Sequence, residues 1–323
     1  MKQDIQTTDS ALPERLRPPQ TLNLVLSVAS VFAWIGLMYA ASRAESMWVV
    51  ALIVLPFSFC ILTIYSLIHE CEHGLFHTDR RINEVAGILL SVFFPGSFSF
   101  LRYCHVGHHS RNRSECELFE LYYPHENRLK KAVFFYFLYL GGFWFSVPFA
   151  SVVLLVLPWF SRTWLVQRSV SASAMINGIP LRALTTIRLE GLFVIAAHAA
   201  LIYFLDLNPA RYAILMLAQG VNWSCQQFLP HAHSPLDVID GAYNLKVHRF
   251  YQALLLNFNL HLAHHQHPRV PWNYLDRFDD PGRRRPGYFE AFARFWRGPQ
   301  PISEFQAEVG VRRDSSVIRP SSM

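Results

Sequence analysis

The chain has 323 residues, a net charge of +6, 52% hydrophobic residues and only 16% charged ones. A soluble globule carries about 25% charged residues, so the composition favours a polytopic membrane protein over two soluble domains. The positive charge does not call for nucleic acid, because basic loops beside apolar spans already find a partner in acidic lipid. The five cysteines (Cys60, Cys71, Cys104, Cys116, Cys225) contain no C-x-x-C pair. Neither a secreted disulfide scaffold nor a cysteine-ligated zinc ribbon is therefore expected.

Residues 1–20 are polar and proline-bearing, and the first apolar run is too long for a signal-peptide core, so no cleavable leader is expected. Two stretches of transmembrane length follow, TLNLVLSVASVFAWIGLMYAAS (21–42) and MWVVALIVLPFSFCILTIYSLI (47–68). The second runs straight into HECEHGLFH (69–77), which has two readings. As H-E-x-x-H it is a zinc-protease signature with Glu70 as general base. As H-x-x-x-H it is one fragment of a larger metal site built on His69 and His73.

The stretch 82–101 then leads to HVGHHSRNRSE (105–115), with His105, His108 and His109 at helical i, i+3, i+4 spacing. An apolar stretch at 132–158 is preceded by Arg128, Lys130 and Lys131 and followed by Arg162, Arg168, Arg182 and Arg188. The positive-inside rule puts both flanks in the cytoplasm. The stretch should therefore dip in and return, or lie at the interface, with Gly141, Gly142 and Pro148 as break points. The same reading suits 82–101.

Two further spans are expected at 189–205 and 212–229, the latter leading into FLPHAHSP (228–235). VIDGAYN supplies an Asp240–Gly241 pair, and NLHLAHHQHP (259–268) repeats the i, i+3, i+4 pattern at His261, His264 and His265. In GYFEAFARFWRG (287–298), Tyr288, Phe292, Phe295 and Trp296 share a helical face, which suits either an interfacial amphipathic helix or a packed one. The last dozen residues, Ser-rich with Arg, are expected to be disordered.

The expected fold is an all-α membrane protein with about four transmembrane helices, re-entrant or interfacial helices and a cytoplasmic histidine-bearing cap. Both termini are expected to be cytoplasmic. The division is a tail at 1–20, a membrane-embedded domain at 21–276 and a C-terminal tail with the amphipathic helix at 277–323.

Eight of the fifteen histidines fall in the three clusters. Imidazole suits iron, copper, nickel and zinc, and eight imidazoles exceed what one ion accepts, so two ions sharing the set is the natural count. No carboxylate cluster accompanies them, which argues against magnesium or calcium. An intramembrane zinc metalloprotease, using Asp240–Gly241 as its second motif, would leave both H-x-x-H-H clusters without work. A metal transporter would place its site near the bilayer midplane, whereas these clusters lie past the span ends.

Taken in order between paired spans, HECEHGLFH, HVGHHSRNRSE and NLHLAHHQHP resemble the three histidine boxes of the membrane fatty acid desaturase superfamily. The first box is similar to that of acyl-lipid desaturases, and the likeness covers about 21–276. FLPHAHSP resembles the segment that adds one more histidine. The resemblance implies His69, His73, His105, His108, His109, His231, His261, His264 and His265 as ligands of two Fe2+ ions, with O2 as co-substrate. His233 is the competitor of His231 for the ligand role, or its orienting partner. Glu72 stands where relatives often have Gly, as an acceptor for a ligand N–H or as a solvated charge.

Glu115 is a candidate to orient a ligand imidazole or to lie on the surface. Gln227, Asn257 and Asn259 are candidates to hold metal-bound water or to satisfy backbone groups. His198, mid-span, is a functional candidate or a helix-to-helix hydrogen bond. The resemblance implies a desaturase acting on a lipid or acyl chain, and the same ligands would serve a hydroxylase or ketolase acting on a lipid or carotenoid. No flavin or nicotinamide fingerprint and no fused cytochrome is evident. An external donor is implied, a ferredoxin or a b-type cytochrome with its reductase, docking through Arg111, Arg113, Lys130 and Lys131.

Overall fold

Long apolar runs without internal charge become long helices here, and their caps decide where the polar chemistry begins. The computed structural model describes residues 16–156 and 163–303. The expectations for residues 1–15, 157–158, Arg162 and the last dozen residues lie outside these. Helix α1 (Gln20–Arg43) starts directly after Pro18–Pro19. Helix α2 (Met47–His73) is capped by the Ser46 side chain and ends at Gly74, whose φ of 72° lies in the left-handed region that glycine adopts without steric cost. The stop falls one residue past His73. The first histidine pair thereby occupies the last turns of a rigid helix.

The stretch 82–101 becomes part of two short helices, α3 (Arg80–Ser91) and α4 (Phe98–Arg111), capped by Asp79 and Ser97. Helix α4 carries His105, His108 and His109. Its N-terminus is held by Glu190 of α9 (Ala183–Phe204), whose carboxylate accepts from Ser97 Oγ (2.6 Å), Ser99 N (2.7 Å) and Ser99 Oγ (2.8 Å). A carboxylate at a helix N-terminus also meets the positive end of the macrodipole.

The 132–158 stretch breaks at the glycines. Helix α5 (Arg128–Phe137) passes through a wide turn at Leu138–Gly142, with Gly141 at φ 120°, into α6 (Phe143–Val156). Pro148 lies inside α6 and is not a break point. The chain on either side of this stretch is tied to segments near the histidines. Tyr136 donates to the Trp296 carbonyl (3.0 Å), and Ser171 of α8 (Val170–Asn177), reached through α7 (Trp164–Arg168), donates to the Cys116 carbonyl (2.6 Å).

Among the described residues, four helices are long and apolar enough, by length and composition, to cross a membrane: 20–43, 47–73, 128–155 and 183–204. The number four agrees with the sequence reading, but the membership differs. The segment expected at 212–229 is α10 (Pro209–Gln227), which is not one of the four, while the bent 128–155 stretch is. The reason is a polar face on α10. Gln219 accepts from Trp34 Nε1 (2.7 Å) and donates to the Phe93 carbonyl (2.9 Å), and Asn222 donates to the Ser58 carbonyl (2.9 Å). Helices in lipid gain little from the hydrophobic effect on packing together, so such bonds, each worth about 0.6–2 kcal/mol, contribute to the bundle. At Gly220 a Cβ would stand 2.6 Å from the Trp144 ring, so the close approach of α6 and α10 needs glycine.

The core between α1, α2 and α10 is aromatic, with Trp34 against Phe57, and Tyr65, Phe94 and Trp223 in mutual contact. Outward, Leu24, Val28 and Phe32 of α1, Leu52 and Leu55 of α2 and Leu189 and Leu192 of α9 are exposed, as lipid-facing side chains would be. The chain is an all-α membrane protein, with a single two-residue parallel pairing, β1 (Leu121–Tyr122) with β2 (Gln300–Pro301), among the described residues.

Short helices α11 (Arg249–Leu254) and α12 (His261–Gln266) follow, then α13 (Tyr288–Phe295). The aromatic face of α13 packs inward: Phe295 is fully buried against Phe135 and Tyr139, and Phe289 on the other face is exposed. The mid-span His198 bonds helix to helix, accepting from the Tyr212 hydroxyl (2.7 Å) and donating to the Val92 carbonyl (2.8 Å).

Candidate metal centre

Four separate segments deliver nine imidazoles to one place. The end of α2 brings His69 and His73, α4 brings His105, His108 and His109, the turn after α10 brings His231, and α12 brings His261, His264 and His265. The nine divide into two groups, His69, His73, His105, His109 and His264 in one, His108, His231, His261 and His265 in the other. Within each group the candidate donor atoms lie within 4.8 Å of one another. Helix α4 serves both groups because i and i+4 (His105, His109) face one way while His108 turns toward the other.

In the five-histidine group, Nε2 atoms face each other at 3.0 Å (His69–His264), 2.8 Å (His73–His105), 3.1 Å (His105–His109) and 3.0 Å (His109–His264). In the four-histidine group, His231 Nε2 lies 2.8 Å from His261 Nε2 and 3.2 Å from His108 Nε2. Burial, and then the neighbouring imidazoles, press six of these rings toward the neutral form. His261 is pushed down to about 3 and His109 to about 2, while His105, His231, His264 and His265 lie well below the usual imidazole range.

The second group tests whether a cation fits. His108 Nδ1 donates to Glu117 (2.5 Å), and His231 Nδ1 donates to the Gly241 carbonyl (2.9 Å). With Nδ1–H spent on these acceptors, a neutral ring has no second N–H and leaves its Nε2 as a bare lone pair. Two bare nitrogens facing at 3.2 Å repel unless a cation lies between them. His265 is buried with neither ring nitrogen bonded, and His261 Nδ1 is likewise unbonded. The residues fit a pair of metal ions, and imidazole suits iron and its neighbours in the transition series.

Carboxylates back this centre. Glu72 has a fully buried side chain with neither oxygen hydrogen-bonded, and its nearer oxygen is 4.0 Å from His105 Nδ1. Glu70 accepts weakly from Trp272 N (3.3 Å) and lies 3.8 Å from His69 Nδ1. Cations on the histidine side would offset the cost of burying both. Glu72 is therefore not a solvated charge.

The other expected partners of the imidazoles fall elsewhere. Glu115 is exposed and accepts from Tyr123, and it is Glu117, two residues on, that bonds a histidine. His233 is buried outside both groups, its backbone N–H donating to Glu120 (3.0 Å). Asn257 and Asn259 donate to the carbonyls of Trp272 (2.9 Å) and Leu245 (3.0 Å), so they satisfy backbone. Gln227 donates to Tyr65 (3.4 Å).

The docking arginines need correction. Arg113 is buried in an ion pair with Glu120 (2.6 Å) and presents no charge to a partner, and Arg111 is half-buried and paired with Glu117 (3.3 Å), whereas Lys130 is exposed.

Phe258 lies between the histidines and a small cavity, its ring 4.9 Å from His69 and 4.7 Å from His261. That cavity, about 40 Å³, is lined mainly by apolar groups of Leu62, Tyr65, Trp223, Leu255 and Phe258, with Tyr288 of α13 at its wall. The 82–101 stretch floors a larger apolar groove of about 690 Å³ between α1 and α9.

The family model for fatty acid desaturases matches residues 46–298, from the start of α2 through α13. The search of curated proteins returned no match. With the match covering most of its length, the chain belongs to the fatty acid desaturase family.

Proposed function

We propose that, as a member of this family, the protein is a membrane-bound, O2-dependent oxidoreductase that introduces a double bond into the acyl chain of a lipid. In this reading His69, His73, His105, His109 and His264 hold one iron ion, and His108, His231, His261 and His265 hold the other. The observation that carries it is the pair of facing Nε2 atoms of His108 and His231, 3.2 Å apart with their Nδ1 atoms on Glu117 and Gly241, beside a second convergent set of five.

Two iron ions there would supply activation of O2 and removal of one hydrogen from each of two adjacent methylenes. The balance is one O2, two electrons and two protons from outside, and the two hydrogens taken, giving two waters. The chain's own part is to keep nine imidazoles neutral and aimed, and to keep one stretch of acyl chain near them and dry. Phe258, between the small cavity and the histidines, and Tyr65, on the cavity wall against it, are suited to the second task. Electrons would come from a separate carrier, a ferredoxin or a b-type cytochrome with its reductase, and Lys130 is the remaining exposed cation of the four first considered.

The histidine face and both termini are assigned to the cytoplasm. The basic flanks of the bent α5–α6 stretch support this, as do the hydrogen bonds that tie both flanks to chain near the histidines.

The test is product analysis in a host lacking the activity. A new double bond, abolished by His261→Ala, is the expected result. A hydroxylated or keto lipid or carotenoid lost with the same variant would assign the centre to hydroxylation or ketolation. A product that survives His261→Ala would refute the site.

A further inference from the structure

The Asp240–Gly241 pair closes a turn over His231. Asn112, one residue past the end of α4, is only 1% exposed. Its Nδ2 donates to two carbonyls of that turn, Val238 (3.0 Å) and Gly241 (3.1 Å). The Gly241 carbonyl is the one that accepts from His231 Nδ1. One oxygen thus takes an imidazole N–H and an amide N–H, and the amide is anchored to the helix that bears His105, His108 and His109. Asn112 Oδ1 has no partner, so the side chain acts here only as a donor.

The arrangement needs glycine. A Cβ at position 241 would stand 2.1 Å from the Asp237 carbonyl oxygen and 2.3 Å from Arg113 Cγ. Arg113 extends the clamp, pairing with Glu120 and donating to the Ser234 carbonyl (3.2 Å), while Glu120 accepts from His233 N. On the far side, Asp240 accepts from Gln266 (2.7 Å), the last residue of α12, and pairs with Arg283 (3.0 Å). The turn is thereby bonded to the ends of both helices that supply the rest of the four-histidine group.

We infer that Asn112 and the Asp240–Gly241 turn form a positioning device for the four-histidine group, holding the Gly241 carbonyl where it fixes the tautomer and aim of His231. The inference rests on reading that group as a metal site. His231 lies on a turn, outside any helix, so helical register does not aim its ring. The hydrogen bond to Gly241 does, and Asn112 keeps its acceptor from rotating away. Groups behind a ligand in this way typically contribute about 10–100-fold to metal affinity. Asn112 is a positioning residue, and its effect should be confined to one of the two ions.

The experiment uses the full chain in mild detergent, loaded with iron and challenged with increasing chelator, reading metal per chain and the spectrum of the ion that remains. His231→Ala and His69→Ala give reference spectra for each group left alone. Asn112→Asp keeps the shape and replaces the donating amide with acceptor oxygens. It is expected to release the four-histidine ion at about 10–100-fold less chelator, leaving the His231→Ala spectrum. Gly241→Ala should do the same. Retention of both ions at the wild-type chelator concentration would overturn the inference. So would loss of both together, since that is the signature of general unfolding. A wild-type chain that binds fewer than two ions would overturn the metal reading and the inference with it.

Discussion

The two histidine groups are built differently. Every member of the five-histidine group stands on a helix, α2, α4 or α12, so helical spacing alone aims the rings. Its carboxylates, Glu70 and Glu72, stay 3.8–4.0 Å from the imidazole Nδ1 atoms and make no short bond to them. The four-histidine group includes one ring on a turn, and it is fixed from behind by short bonds from His108 to Glu117 and from His231 to Gly241. Register builds one site and outer hydrogen bonds build the other. Substitutions behind the ligands should therefore injure the second group selectively, while those in the helices should injure the first.

The largest effect should come from the ligands themselves. His105→Ala and His261→Ala, one from each group, should each lower product formation by more than about 100-fold, beyond the range of outer-shell changes. Product analysis checks this, and a variant retaining a tenth of the activity would show that its group is dispensable. Glu117→Gln should come next, weakening the four-histidine ion by about 10–100-fold and sparing the other in a chelator titration. Equal loss of both ions would erase the distinction between the groups.

Protonation, by contrast, should act on both groups alike. His109 and His105 in one group, and His261 and His231 in the other, are held below the usual imidazole range by burial. The unfolded chain therefore binds protons first as pH falls. Stability of the metal-free protein should be full above about pH 6.5. It should then decline progressively toward about pH 3, where His261 titrates in the fold. Thermal unfolding across that range checks the sign, and a protein that gains stability on acidification would contradict it.

The smallest effect tests helical register. Gly74 has φ 72° and open space around its missing Cβ, so Gly74→Ala carries strain without a clash. It should cost about 1–2 kcal/mol in unfolding measurements, and disturb the His73 side of the centre before the His231 side.

The comparison also explains what could be read from the chain. His69 with His73, and the two H-x-x-H-H clusters, were legible because a helix converts i, i+3 and i+4 into one face. The bend at Gly141 was legible because glycine relieves a positive φ. Glu117 was missed in favour of Glu115 because a short 3-10 turn at Glu115–Glu117 carries one carboxylate outward and the other in. The Gly241 carbonyl leaves no mark in a side-chain pattern, and only the crowding around its α-carbon shows why no other residue fits. The polar face of α10 was not legible because Gln219 and Asn222 find their partners in segments remote in sequence. Arg113 looked like surface charge for a similar reason, since Glu120 pairs with it in the interior.

The most direct test of the account is metal content per chain in protein purified in mild detergent, measured for the wild type and for single alanine variants. The account predicts two ions per wild-type chain, with His69→Ala or His105→Ala removing one and His231→Ala or His261→Ala removing the other. One ion per chain, lost with His69 or His73 but indifferent to His105 and His261, would contradict it and return HECEH to a single-zinc site.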